Sequence, residues 1–131
     1  MNSGGMAQTW APRMLSVLRI MAALLYLEHG SQKLLGFPAS ERGPVALFSF
    51  YGLTGFLELF GGILLAIGLF TRPVAFVLSG MMAVAYFMAH ARKSFFPVNN
   101  GGDAAILFCF VFFYLFIAGP GPWSVDARRS A

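Results

Sequence analysis

Residues 53–70 read LTGFLELFGGILLAIGLF, and the one carboxylate in that run, Glu58, decides how the chain is read. A helix needs about 20 apolar residues to cross a bilayer core. A charge near the centre of such a span costs roughly 2.5–3.5 kcal/mol on insertion scales. Ionisable groups that persist there normally face a protein interior or a wet cavity. Taken whole, the stretch covers roughly residues 45–70, and three others lie at roughly 14–35, 73–91 and 103–118. They carry Arg19, Glu28, His29, Lys33, His90 and Asp103. The sequence predicts an all-α polytopic membrane protein, an antiparallel four-transmembrane-helix bundle with polar groups inside.

Composition agrees. The 131 residues are 58% hydrophobic and 11% charged, with a mean hydropathy of +0.72. A soluble domain carries about 25% charged residues and could not hide this much apolar surface. The formal net charge of +4 is scattered over helix ends and loops rather than gathered in a stripe, which excludes a nucleic-acid partner and suits interface anchoring. The single Cys109 excludes dithiol chemistry by this chain alone. No small-residue cleavage site follows an apolar run near the start, so the first helix reads as a retained span.

Punctuation sets the domain plan. Residues 1–12 read as a polar N-terminal segment, 13–118 as the transmembrane domain and 119–131 as a polar tail. Helix one is expected just after Pro12 and ends at Leu35, before Gly36-Phe37-Pro38. Helix two starts between Val45 and Leu53 and ends at Phe70; helix three covers Val74–Ala91; helix four covers Asp103–Ala118. The loop Arg92–Gly102 reverses at Asn99-Asn100-Gly101-Gly102.

Alternating directions carry Glu28, His29, Gln32, Lys33, Glu58, His90 and Asp103 toward one end of the membrane. In helix two, Gly55, Glu58, Gly62 and Ala66 share a stripe whose small residues invite a neighbour. Ser79, Ala83, Tyr86 and His90 share a face of helix three, and Asp103, Leu107, Phe110 and Tyr114 one of helix four. Plainer readings stand beside each candidate. Lys33 serves as a snorkelling anchor, Asp103 as a helix N-terminal carboxylate, His90 as a stabiliser of a helix C-terminus, and Glu58 as a structural salt bridge to Lys33. Arg19 is expected to pair with Asp126. Arg13, Arg72, Arg128 and Arg129 on the termini side, with Arg19 a turn or two inside, only narrowly outweigh Lys33, Arg42, Arg92 and Lys93 opposite, which favours cytoplasmic termini.

The segments His29-Gly30-Ser31-Gln32-Lys33-Leu34-Leu35-Gly36, Leu57-Glu58-Leu59-Phe60-Gly61-Gly62 running to Gly68-Leu69-Phe70-Thr71-Arg72, Asn100-Gly101-Gly102-Asp103, and Gly119-Pro120-Gly121 with Ser124-Val125-Asp126 resemble the DoxX family. The resemblance implies a small four-helix protein of the bacterial cytoplasmic membrane, of a kind often labelled oxidoreductase after a thiosulfate:quinone oxidoreductase subunit. It carries over Gln32, Lys33, Glu58, Arg72, Asn100, Asp103 and, at a position where the family often has His, His90.

The functional expectation is a redox subunit acting on a membrane quinone with a partner protein, since no haem-attachment, flavin or iron–sulfur motif is present. Glu58 and His90 would exchange protons, Lys33 would steady a quinol anion, and Gln32, Tyr86, Asn100 and Asp103 would line the site. Arg19, Glu28, Arg72 and Asp126 would form a structural polar network. A second reading is a non-enzymatic scaffold or assembly factor whose buried polar layer fixes helix register. A third is bis-His haem at His29 and His90, or a metal held with Glu28, Glu58 and Asp103. A homo-oligomer is compatible with all three, and transport is disfavoured by the lack of a broken-helix pair.

Overall fold

The computed structural model describes residues 3–40 and 46–130. Six helices account for most of them: α1 (Ser3–Leu35), α2 (Phe50–Ile67), α3 (Thr71–Ala89), α4 (Pro97–Asn100), α5 (Asp103–Ala118) and α6 (Val125–Ser130). No strand occurs among the described residues. α1, α2 and α3 are long and apolar enough to cross a membrane; α5 is apolar but shorter, at 16 residues. At 1.5 Å per residue it spans about 24 Å against a hydrocarbon core of about 30 Å, a mismatch a bilayer absorbs by local thinning.

The chain falls into two compact units. One takes the chain up to Thr71 and resumes at Pro120; the other is Arg72–Gly119. Each holds an antiparallel pair of apolar helices.

In the first unit, α1 packs against α2. The buried face of α2 is Gly52, Gly55, Glu58, Gly62 and Leu65. This is the expected small-residue stripe extended by one turn at its start, with Leu65 buried in place of the half-buried Ala66. The approach is close enough that backbone meets backbone. A Cβ on Gly30 would lie 2.4 Å from the Leu59 nitrogen and 2.7 Å from the Gly55 carbonyl oxygen. Gly30→Ala is therefore expected to destabilise by about 1–3 kcal/mol. Gly80→Ala on α3, where a Cβ meets nothing within 4 Å, is expected to be neutral or to gain up to about 1 kcal/mol. Thermal unfolding in detergent compares the two.

In the second unit, Phe76 meets Phe116 with ring centroids 5.0 Å apart, and the Ser79 hydroxyl donates to the Cys109 carbonyl at 2.7 Å. Ser79 is thus on a packed face, as its periodicity suggests. The α5 face expected inside is not. Leu107, Phe110 and Tyr114 are exposed, and so is Asp103; Ala105, Phe112 and Leu115 are buried instead. α5 is apolar all round, so its periodicity holds no facing signal, and Asp103 lies in the first turn, where a carboxylate favours the N-terminus wherever it points.

The start of α1 and the α2–α3 turn differ from expectation, while the α2 start falls inside its expected range. α1 begins at Ser3, ten residues' worth of helix that runs through Pro12. The ring deprives the Gln8 carbonyl of a partner, but both residues are exposed. α2 starts at Phe50, where the Ser49 hydroxyl accepts from the Gly52 N–H at 3.0 Å. It stops at Ile67, because Gly68 is left-handed at φ 72°, as is Phe70 at φ 52°.

That α2–α3 turn is closed from outside. The Asp126 carboxylate accepts from the Phe70 N–H at 2.9 Å and the Thr71 N–H at 2.8 Å, capping α3 from the C-terminal segment. Burial pushes the Asp126 carboxyl up, but hydrogen bonds from Thr71 and the Phe70 N–H, with the charge of Arg129, outweigh it and hold the group below its ordinary range. A depressed folded value means the cap stabilises above the unfolded value of about 3.9 and is lost as pH falls through the folded one. Asp126→Ala should cost about 1–2 kcal/mol at neutral pH. The gap from wild type should close only below about pH 4, as read by thermal unfolding at stepped pH.

Candidate functional site

Lys33 and Glu58 meet at the α1–α2 contact. Lys33 lies in the last turn of α1, and its ammonium is 2.6 Å from Glu58 Oε1. It also donates to the Thr54 hydroxyl at 3.0 Å and sits 5.0 Å from the Tyr51 ring centroid. The plain reading of Glu58, a salt bridge to Lys33, is therefore realised as geometry. One feature exceeds it. Glu58 is 5% exposed, and its buried Oε2 receives no hydrogen bond among the described residues. A carboxylate oxygen left without a donor in low dielectric is costly. Lys33, at 22% side-chain exposure, forms the outer wall of the pair.

Depth follows from helix rise. Arg13 and Lys33 are 20 positions apart on one helix, about 30 Å, the thickness of one hydrocarbon core. The pair therefore lies about one bilayer-core thickness along α1 from Arg13.

In the second unit, Asn100 organises Tyr86 and His90. Its amide donates to the Tyr86 hydroxyl and to the Ser94 carbonyl, both at 3.0 Å, and its side-chain oxygen accepts from the Gly102 N–H at 2.8 Å. His90 Nδ1 lies 3.0 Å from the Asn100 carbonyl oxygen. That oxygen can only accept, so Nδ1 carries a proton, and in the neutral tautomer this selects, the lone pair lies at Nε2. Tyr86 and His90 stack with centroids 6.3 Å apart. Asn100 is 2% exposed with its side chain fully used, which makes it an organiser rather than an open ligand.

The remaining candidates disperse. The Gln32 amide donates to the Ala39 carbonyl at 3.4 Å and braces the turn after α1. Glu28 and His29 are exposed on α1, His29 within electrostatic reach of Glu58, Asp103 is exposed at the start of α5, and the Arg72 guanidinium lies against Gly119. Arg42 lies outside the described residues. Among the described residues, no three His, Cys, Asp or Glu side chains gather as metal ligands.

Arg19 does not form an ion pair with Asp126. It is fully buried and donates to four carbonyls: Leu65 at 2.7 Å, Ala66 at 3.4 Å, Trp123 at 2.8 Å, and Pro120. Leu65 and Ala66 belong to the last turn of α2, where i+4 donors run out and the Gly68 cap supplies only one N–H, to Leu65 at 3.1 Å. A cation there completes the negative end of the helix dipole. Asp126 is engaged instead on the α3 N-terminus.

Sequence reasoning missed Thr54, Tyr51 and Ser16. The first two were detectable, since Thr54 is one turn before Glu58 and Tyr51 nearly two. Ser16 was not: its hydroxyl accepts from the Trp123 N–H at 3.0 Å, a contact spanning most of the chain.

The family model for DoxX matches residues 14–91, from α1 through His90 and the whole of the Lys33–Glu58 contact. The chain belongs to the DoxX family. An uncharacterized protein of Haemophilus influenzae is 39% identical to this DoxX protein, over 92% of this chain and 94% of the relative. An uncharacterized membrane protein of Mycobacterium tuberculosis is 29% identical over 98% and 93%. No solved structure matches. With three helices long and apolar enough to span and a membrane protein among its relatives, this DoxX protein is a membrane protein.

Proposed function

We propose that this DoxX protein is a subunit that exchanges protons with a membrane quinone, while a partner protein supplies or removes the electrons. The observation behind the reading is the Glu58 carboxylate, held at Oε1 by Lys33 and open at the buried Oε2. Quinone reduction takes up two electrons and two protons, and the electrons must come from the partner. Glu58 is the proton-carrying group beside the quinone oxygen, and Lys33 steadies negative charge there. Tyr51, half-turned outward over the ammonium, offers an apolar wall. His90, with Nε2 free to accept, is a second proton acceptor in its own unit.

The relatives' bacterial origin supports placement in a bacterial cytoplasmic membrane. Arg13, Arg128 and Arg129 at one end of the first unit support cytoplasmic termini.

The scaffold reading has its own support: Lys33–Glu58 and Arg19 both tie α1 to α2. The two readings part on Glu58→Gln. Mass spectrometry of small molecules co-purifying with wild type is expected to find a stoichiometric quinone, absent from Glu58→Gln that accumulates normally. Reduced accumulation with no quinone in either protein would favour the scaffold.

A further inference from the structure

The end of the first unit opposite Lys33 carries cations that the fold does not consume. Arg19 is spent on backbone carbonyls and Asp126 on the α3 N-terminus, as described above. Arg13, Arg128 and Arg129 remain. Arg13 lies 4.9 Å from the Trp10 ring centroid, and Arg129 lies 5.3 Å from that of Phe70 while also facing Asp126. Arg128 is exposed, bonded through its backbone N–H to the Ser124 carbonyl.

These groups are held together by the C-terminal segment. A Cβ on Gly121 would meet Ser16 and the Pro12 carbonyl, and the Trp123 N–H donates to Ser16, so residues 121–123 lie along α1 near Arg13. The Asp126 N–H donates to the Gly68 carbonyl at 2.9 Å, which seats α6 on the α2–α3 turn. Trp10, Phe70 and Trp123 are each more than half exposed. Trp10 and Trp123, amphipathic aromatics about one bilayer core from Lys33, are the side chains that settle at headgroup level, with the apolar Phe70 ring beside them. Arginine beside them is the side chain that binds phosphate by paired N–H donors.

We propose that this end of the first unit is a binding surface for anionic phospholipid, with Arg13, Arg128 and Arg129 meeting the headgroup phosphate and Trp10, Phe70 and Trp123 seated at the glycerol level. Among the described residues the carboxylate within this group, Asp126, is turned onto backbone N–H groups, so the surface keeps its positive sign. A zwitterionic headgroup carries its own cation and gains less.

The test is native mass spectrometry of the detergent-solubilised full chain mixed with equimolar phosphatidylglycerol and phosphatidylcholine of matched acyl chains. Wild type is expected to retain phosphatidylglycerol in preference. The triple variant Arg13→Gln, Arg128→Gln, Arg129→Gln should lose that preference, by about fivefold per arginine removed. The triple lysine variant should keep most of it. Arg92→Gln with Lys93→Gln, two exposed cations of the other unit, should leave it unchanged. The thermal unfolding temperature without added lipid should fall only slightly in the glutamine variant, through the lost Arg129 charge beside Asp126. Equal retention of the two lipids by wild type overturns the proposal. So does a preference that survives the triple glutamine variant, or one that falls as far with the Arg92 and Lys93 pair.

Discussion

Arg19→Met is expected to cost about 3–5 kcal/mol and to strip the protein from the membrane fraction. That range is what withdrawing a charged donor from several buried carbonyls at once amounts to. Methionine roughly fills the space of the side-chain stem, so the loss is not chiefly a cavity. It comes from four carbonyls that stay where they are. Leu65 and Ala66 end α2, and Pro120 and Trp123 begin the C-terminal segment. Leu65 keeps the Gly68 N–H and Pro120 the Ser16 hydroxyl, but all four lose a charged donor, and Ala66 and Trp123 gain no new one. Each buried acceptor left unpaired costs about 1–3 kcal/mol. Arg19→Lys should fall between wild type and methionine, because an ammonium keeps the charge but cannot match the planar five-donor fork. Fluorescence-detected size exclusion of detergent extracts, followed by thermal unfolding of whatever survives, measures both effects. Normal abundance of the methionine variant would mean that water replaces the guanidinium.

Lys33→Met is the second large effect, again about 3–5 kcal/mol. It leaves a carboxylate at 7% side-chain exposure with neither oxygen paired. The informative variant is the double change Lys33→Met with Glu58→Met. A purely structural pair predicts that the double variant recovers most of the lost stability, since apolar residues of similar volume commonly replace a buried ion pair without penalty. A quinone site predicts the same recovery together with complete loss of co-purifying quinone. The double-mutant cycle thus separates what the pair does for the fold from what it does for a substrate, provided stability and ligand are read on the same preparation. A double variant as unstable as Lys33→Met alone would show that the pair's contribution lies in packing of the lysine stem.

The helical, membrane-spanning character was legible because apolar length is a one-dimensional property, and the Lys33–Glu58 contact because both residues lie on long helices with a small-residue stripe to set the phase. The α5 face was not legible. An all-apolar helix gives the same pattern whichever side it turns inward, and the one polar marker, Asp103, occupies a first turn where facing is free. Arg19 misled for a different reason. A buried arginine suggests a carboxylate, whereas carbonyls at the end of α2 have no sequence signature and are available to any donor that reaches them. His90 and Asn100 were legible as residues but not as a pair, because the bond is to the Asn100 backbone.

The Arg19 contacts set an order of events during biogenesis. Its Leu65 and Ala66 acceptors are synthesised soon after it, but the Pro120 carbonyl is 101 residues downstream. At about 5–20 residues per second, a nascent chain carries this guanidinium for several seconds with half its acceptors still unmade. Over that interval the cation must stay hydrated or be sheltered by the insertion machinery, so the first helix pair reaches its final seal only when the C-terminal segment arrives.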